Sequence, residues 1–282
     1  GRRVRNVMSY VNVHDRKLPF LTRYAADLFT YRHLCWNLVG ADLRARFRRS
    51  RLGILWAIIQ PLAFALMIAA VWGGMFNVAD YWAFAIYVFS GTILWEFFSN
   101  VVVGSQDALK GAEGYLKQTR VPFFIFQLRI PFTSLVILLF AIAGLVMLQA
   151  VTQKLPTLGP HLLLVPVFFF VFILFGIPLA VLMSIIGTQY RDVRHISTIA
   201  VQALFFLSPV MLQRDILDKP ELAFLSYVNP MVPLLDMFRA PVLYSQLWGQ
   251  SDVIVVSIWI VALWVAALLL SARVGRKLVF AL

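Results

Sequence analysis

The stretch RARFRRSRLGILWAIIQP, Arg44 to Pro61, decides how this chain folds. Five of its first eight residues are arginine, and no charged side chain follows from Leu52 to Ala79. Arginine collects at the cytoplasmic edge of membrane helices, and about 20 apolar residues cover the hydrocarbon layer at about 1.5 Å per residue. The boundary therefore reads as a cytoplasmic arginine rim followed by a first membrane span, roughly 54–75. Pro61, one or two turns in, has no N–H to donate and is expected to kink that helix or loosen its first turns.

Composition agrees. The chain is 61% hydrophobic and only 13% charged, with mean hydropathy +0.82, where about 25% charged is usual for soluble domains. A net charge of +12 would point to nucleic acid in a soluble protein. Here the excess of Lys and Arg on the inner side explains it. One cysteine, Cys35, excludes an intrachain disulfide and a Cys-rich metal site, and His14, His33, His161 and His195 follow no ligand spacing. No phosphate-binding Gly-rich loop with Lys-Ser or Lys-Thr, no HExxH and no Cys-Xaa-Xaa-Cys occurs. Asp215, Asp218 and Glu221 lie at helical spacing as candidate surface carboxylates, but a solvated loop face is the commoner meaning of such a group. The first long apolar run begins only after residue 50, unlike a signal peptide.

Outward from Arg44, residues 1–30 form a polar cytoplasmic lead-in. Within 31–52, Tyr31, Cys35, Val39, Leu43 and Phe47 recur every four residues. That stripe predicts an amphipathic interfacial helix with its apolar face in the acyl boundary and its arginines among headgroups. Beyond it, residues 53–272 form a membrane domain with further spans at roughly 81–103, 124–147, 162–186, 196–212 and 253–270. The second carries Glu96, which must be paired, face a cavity or sit near the interface. The fourth is interrupted by Pro166 and Pro178. Residues 104–120 form a cytoplasmic segment that reads equally as a short helix begun at Ser105 or as a loop. Residues 213–250 include an apolar run, 222–235, too short to cross and cut by Pro230 and Pro233. A pair of short re-entrant or interfacial helices fits it better. With the N-terminus inside and six spans, 21 of the 25 Lys and Arg fall on the inner side, and the tail 273–282 is cytoplasmic. The expected fold is an all-α integral membrane protein with six transmembrane helices and both termini inside.

The order of motifs is specific. RFRRSRLGILWAIIQPL at 46–62 is followed by Thr119-Arg120-Val121-Pro122, QYRDVRHI at 189–196, FFLSPVM at 205–211 and YVNPMVPLLDMFR at 227–239. Over residues 30–275 the chain resembles the membrane subunit of bacterial ABC-2 type polysaccharide exporters, which handle O-antigen, capsule, teichoic acid or galactan. The resemblance implies a homodimer docked on two copies of a separate ATPase, which binds ATP and Mg, with no cofactor in this chain and no catalysis. It also implies a glycan on a polyprenyl diphosphate as substrate and the bacterial cytoplasmic membrane as location. Coupling to the ATPase would fall on the interfacial helix and on Asp107, Leu109, Lys110, Tyr115, Leu116 and Lys117. Tyr190, Arg191, Asp192 and Arg194 would lie at a cytoplasmic gate. Ser208, Pro209, Asn229, Pro230 and Arg239 would form an outer gate.

Physical chemistry adds two expectations. A diphosphate headgroup is drawn to Arg44, Arg46, Arg48, Arg49 and Arg51, though the same arginines serve as a plain topology signal. A sugar chain needs aromatic platforms, for which Tyr81, Trp82, Tyr87, Trp95, Phe97 and Phe98 are candidates, though aromatics are also ordinary membrane anchors. Without a carbohydrate-reading module, selection among polymers is expected from the pore or the partner subunit. The alternative within the same fold is export of a drug, peptide or simple lipid.

Overall fold

The computed structural model describes residues 29–48, 50–75, 78–109, 111, 121–190, 192–212, 214, 219 and 221–281, with side chains up to Arg273. Nine α-helices are used below: α1 (Arg32–Arg46), α2 (Trp56–Met75), α3 (Tyr81–Ser99), α4 (Phe123–Val151), α5 (Leu164–Gln189), α6 (Val193–Phe206), α7 (Leu225–Val228), α8 (Met231–Leu243) and α9 (Gln250–Ala281).

Five helical segments among the described residues are long and apolar enough to cross a membrane: Gly53–Met75, Tyr81–Asp107, Phe123–Val151, Pro160–Gln189 and Gln250–Arg273. The fifth predicted span, 196–212, differs. Its helix is Val193–Phe206, 14 residues, about 21 Å long and short of a full crossing. The chain then leaves the helix through turns at Leu207–Leu212, because Pro209 lacks the N–H that would continue it. So the count of long apolar helices among the described residues is five, with α6 as a shorter apolar helix.

The interruptions expected in the fourth span also differ. Pro166 lies in the first turn of α5, where its missing N–H has no helical partner to lose. Pro178 lies mid-helix, and the helix continues through it. A proline frees the carbonyl four residues earlier, here that of Leu174. The indole Nε1 of Trp264 on α9 donates to that oxygen at 3.0 Å, so α9 repairs the break in α5. Pro61 lies inside α2, which continues through it as α-helix; a separate 3-10 turn at Gly53–Leu55 precedes the helix.

α3 is the hub. Thirteen of its residues are buried, while only 22% of the apolar window of the first span is. Around α3, the rings of Phe89, Phe97, Phe168, Phe172, Phe175 and Phe238 are fully enclosed. Toward its C-terminus α3 passes into a π-helical turn, Asn100–Gly104, and a 3-10 turn, Ser105–Asp107. Ser105 therefore continues α3 and does not begin a new helix. Gly187 of α5 lets this backbone cross: a Cβ there would stand 2.8 Å from the Gln106 Cα.

The stripe on α1 faces the bundle, not the acyl boundary. Cys35, Leu38 and Val39 are buried, with Cys35 and Leu38 in a second apolar cluster with Leu109, Phe124, Val181, Ile185 and Ala267. Burial there pushes the Cys35 thiol up to about 11. Asp42 pairs with Arg129 of α4 at 3.5 Å, so an arginine in the inner part of α4 has its carboxylate on α1.

The segment before the last span forms two short helices, as its prolines predict. α8 has ten buried residues out of thirteen and is about 20 Å long. Trp259, nine residues into α9 and so about 13 Å along it, donates its indole N–H to the Tyr227 carbonyl at 3.0 Å. α7 therefore lies alongside the first third of α9, and α8 runs from there to Leu243, just before Ser245, whose hydroxyl accepts from Thr157 N–H at 3.0 Å.

Candidate functional site

Polar side chains gather at two levels of the bundle. One is the basic end, where α1, the turns after α3 and the start of α6 meet. The other is a buried knot where α3, α8 and the turn after α6 cross, toward the end that carries Asp80 and Lys154.

At the basic end, Arg46 answers the problem Glu96 poses. Its guanidinium lies 3.5 Å from the Glu96 carboxylate and donates to Asn100 Oδ1 at 3.4 Å. One arginine of the rim is thus committed to an acid on α3, just before the π turn. Arg44, Arg48 and Arg51 are exposed; Arg49 lies outside the described residues. Arg194 at the start of α6 forms an ion pair with Asp107, which joins two segments that sequence reading had assigned to separate roles. Leu109 is fully buried and anchors the same segment in the apolar cluster under α1. Tyr190 and Asp192 are exposed at the turn between α5 and α6. Lys110, Tyr115, Leu116, Lys117, Arg191, Asp215 and Asp218 lie outside the described residues, and Glu221 is exposed. Among the described residues, no group of three or more His, Cys, Asp or Glu could hold a metal ion.

The knot is organised by Arg239, 1% exposed on α8. The turn after α6 leaves carbonyls without helical partners in an apolar layer, an expensive arrangement unless a donor reaches them. Arg239 supplies the donors. Nη1 donates to the Pro209 carbonyl at 2.5 Å, and Nη2 to the carbonyls of Tyr87 at 3.0 Å and Val210 at 3.3 Å. Nε donates to Ser90 Oγ at 3.1 Å. The guanidinium carbon lies 3.6 Å from the Tyr87 ring centroid, a cation–π contact strengthened by the absence of water. The Tyr87 hydroxyl donates toward the carbonyls of Leu212 at 2.8 Å and Pro209 at 3.1 Å. Gly91 makes the crossing possible, because a Cβ there would stand 2.6 Å from Arg239 Nη2 and 3.0 Å from the Val210 carbonyl. Next to it, Asn229 Nδ2 donates to Ser208 Oγ at 2.7 Å, and Asn229 Oδ1 accepts from Met231 N–H at 3.1 Å. Asn229 thereby caps α8 directly after Pro230 and ties it to the turn.

Ser208, Pro209, Asn229 and Arg239 are thus brought together, and Pro230 stands beside them at the α8 N-terminus. Tyr87, Ser90 and Gly91 are their partners. Sequence reading missed Ser90 and Gly91 and took Tyr87 as a pore ring; the only available signal was a Ser-Gly pair inside an apolar helix. The remaining aromatics divide by depth. Trp95, Phe97 and Phe98 are buried: Trp95 packs on Phe205 at 5.5 Å between centroids, Phe97 on Phe172 at 4.3 Å and Phe98 on Phe175 at 6.5 Å. Tyr81 and Trp82 are exposed, and they meet edge to face at 5.2 Å.

Past the knot, at the far end from the arginine rim, Asp80 caps α3 by accepting from Ala83 N–H at 3.0 Å and pairs with Lys154. The Lys154 hydrogen bond holds the Asp80 carboxyl below its ordinary range, with the Ala83 N–H adding to it. Arg214 Nε donates to Asp236 Oδ2 at 2.7 Å.

Comparison with known proteins places this architecture. The chain is 27% identical over 251 residues to the O-antigen export system permease protein RfbA of Myxococcus xanthus, covering 85% of this chain and 94% of that one. It is 19% identical to the protein of the same name from Klebsiella pneumoniae, covering 79% and 83%. It is 22% identical to the polysialic acid transport protein KpsM of Escherichia coli, covering 72% and 78%. Residues 33–243, from the bundle-facing helix α1 through the end of α8, match the ABC-2 type transporter family. That match contains both the basic-end cluster and the buried knot, so the chain belongs to the ABC-2 type transporter family, as a multi-pass membrane permease related to O-antigen and polysialic acid export systems.

Proposed function

We propose that this chain is the membrane subunit of an ATP-driven exporter that carries a polyprenyl-diphosphate-linked polysaccharide, of O-antigen, galactan or teichoic-acid type, across the bacterial cytoplasmic membrane. The observation that carries this reading is the near full-length match to an O-antigen permease. It is joined by a match over most of the chain to a second protein whose name is also that of a polysaccharide transporter. In this reading two copies of the chain pair with two ATP-binding subunits, where ATP and Mg are held. The basic end faces the cytoplasm, by the excess of Lys and Arg there, and both termini lie on that side.

The geometry supports the following roles in this reading. Arg44, Arg48 and Arg51 receive the diphosphate headgroup, and Arg46 joins them when its pair with Glu96 opens. The Asp107–Arg194 pair and the Leu109 anchor transmit force from the ATPase into α3 and α6. α7 and α8 are re-entrant helices of an outer gate, closed by the Arg239 knot. Tyr81 and Trp82, exposed near the outer mouth, offer faces to sugar rings. The π turn in α3 is the flexible joint between the two levels, since such turns interrupt regular helix pairing at functional sites.

The test is transport in proteoliposomes holding the chain and its ATPase. Wild type is expected to move lipid-linked glycan with ATP. Asp107→Asn and Arg194→Gln are expected to keep the fold, because a half-exposed ion pair is worth about 0–1 kcal/mol. They should keep ATP hydrolysis and lose most glycan movement. ATP-driven movement of a drug or simple lipid with none of the glycan would overturn the substrate assignment. ATP hydrolysis by the purified chain alone would overturn the subunit assignment.

A further inference from the structure

At the outer mouth, by the topology just proposed, a cleft of about 490 Å³ opens between the first turns of α3, the end of α4 and the end of α8. Its size lies within the roughly 300–1,000 Å³ of small-molecule sites. Its lining is mixed. Tyr87 and Tyr244 contribute rings with hydroxyls, Asp80 and Lys154 an ion pair, and Gln149 and Arg214 further polar groups. Two features mark it as more than a gap between helix ends. Gln149 is 1% exposed; its Nε2 donates to the Val242 carbonyl at 3.0 Å, and its Oε1 has no partner. Beside the lining residues Lys154 and Tyr244, the backbone is left-handed at Gln153 (φ 58°) and Ser245 (φ 55°), conformations that cost energy in residues other than glycine.

The chemistry narrows the ligand. The Asp80 and Lys154 charges answer each other, and Arg214 is engaged by Asp236. A charged ligand would compete with one of those pairs for its charge. A neutral polyol would not: its hydroxyls both donate and accept, so they can meet the partly exposed Asp80–Lys154 pair while its C–H face packs on a ring. We propose that this cleft is a binding subsite for one or two neutral pyranose units, formed inside a single chain and separate from any passage between chains. It rests on the proposed glycan substrate and topology. Its floor is Tyr87, which also lies under the Arg239 guanidinium and donates to the turn after α6, so a sugar seated there touches the knot directly.

The probe is a set of neutral trisaccharides, gluco-, galacto- and manno-configured with α and β linkages. They are titrated against the full chain in lipid nanodiscs free of maltoside detergent and read by saturation-transfer NMR, with empty nanodiscs as control. At least one trisaccharide is expected to give saturable transfer. Ala83→Trp fills the cleft without removing a polar group and leaves the Asp80 cap on the backbone intact. It is expected to weaken the titration midpoint by about tenfold or more, as is Tyr244→Ala, while Tyr244→Phe stays within about twofold. No saturable transfer from any trisaccharide, or transfer unchanged by Ala83→Trp in a chain that elutes and melts like wild type, overturns the subsite. The exporter reading fails independently. Saturable binding without ATP-driven glycan movement supports the cleft and removes the exporter, whereas glycan movement without binding removes the cleft.

Discussion

The basic end and the Arg239 knot both rest on arginine, yet they are built on opposite physics. At the basic end, Arg46 and Arg194 meet carboxylates across partly exposed surfaces. Such pairs are worth about 0–1 kcal/mol, because water and salt compete for each charge. In the knot, a guanidinium with almost no exposure meets backbone carbonyls, a hydroxyl and a ring. Those oxygens lie in an apolar layer, with the Tyr87 hydroxyl as a second donor at the Pro209 carbonyl, and each bond left unmade costs about 1–3 kcal/mol. The first arrangement changes partners cheaply, which suits the coupling role proposed for it. The second holds one arrangement until several bonds are exchanged together, which suits the gate role proposed for it. α3 joins them, with Glu96 at one level and Tyr87, Ser90 and Gly91 at the other.

The largest expected effect breaks the knot. Arg239→Met keeps the length of the side chain and strips all its donors. It is expected to destabilise the protein by about 3 kcal/mol or more, from several carbonyls left unpaired, seen as a lower unfolding midpoint in nanodiscs. Arg239→Lys should recover only part of this, because an ammonium cannot fork to Pro209 and Tyr87 at once. A midpoint equal to wild type for Arg239→Met would mean that water or backbone motion satisfies the turn.

Gly91→Ala attacks the same crossing by volume alone. Its methyl would meet Arg239 and the Val210 carbonyl, and overpacking of this kind costs about 1–3 kcal/mol. The knot predicts a lower unfolding midpoint, with Arg239→Met adding less in the Gly91→Ala background than in wild type.

A third test asks whether side-chain repair of a broken helix is general in this bundle. Trp264→Phe removes the donor to the Leu174 carbonyl and should cost about 1 kcal/mol. In a Pro178→Ala background the restored backbone N–H takes over that carbonyl, and the cost should nearly vanish. A double-mutant cycle on unfolding midpoints measures the difference; equal costs in both backgrounds would refute the repair.

The smallest effect concerns pH at the basic end. Burial raises the Asp42 carboxyl above its ordinary range, and Arg129 only partly opposes this. An acid with a raised folded pKa binds more protons folded than unfolded, so docking of α1 weakens as pH rises from the ordinary carboxylate range through the raised value. Asp80 has the opposite sign: the contribution of its pair with Lys154 is present above the ordinary range and lost as pH falls through the lowered value. Cys35, buried under α1, reports on docking through its alkylation rate. The ratio of wild-type to Asp42→Asn rates is expected to rise with pH across the Asp42 window, and a flat ratio would remove Asp42 from control of α1.

Much of this was legible in the chain. The charge-free run after Arg51, the proline-cut segment 222–235 and the four-residue stripe on α1 are local patterns, and each became a helix at or near the expected place. The exceptions are instructive. The fifth predicted span reads as apolar through 212, but Pro209 ends it at Phe206, and apolarity does not record where a helix stops. The stripe on α1 correctly reports a helix with one apolar face. A stripe is the same whether lipid or Leu109 and Phe124 cover it, so the partner stayed open.

By itself, the sequence determined the class, the long apolar helices, the two short helices before α9 and the arginine rim, because hydropathy and charge act residue by residue against a fixed slab of hydrocarbon. Only the tertiary structure decided that Arg46 answers Glu96, that Trp264 fills the carbonyl freed by Pro178, and that Arg239 caps the turn after α6 from a helix 30 residues away while Tyr87 reaches the same turn across 122. A buried polar atom must find a partner in space, and sequence separation carries no information about which one it will be.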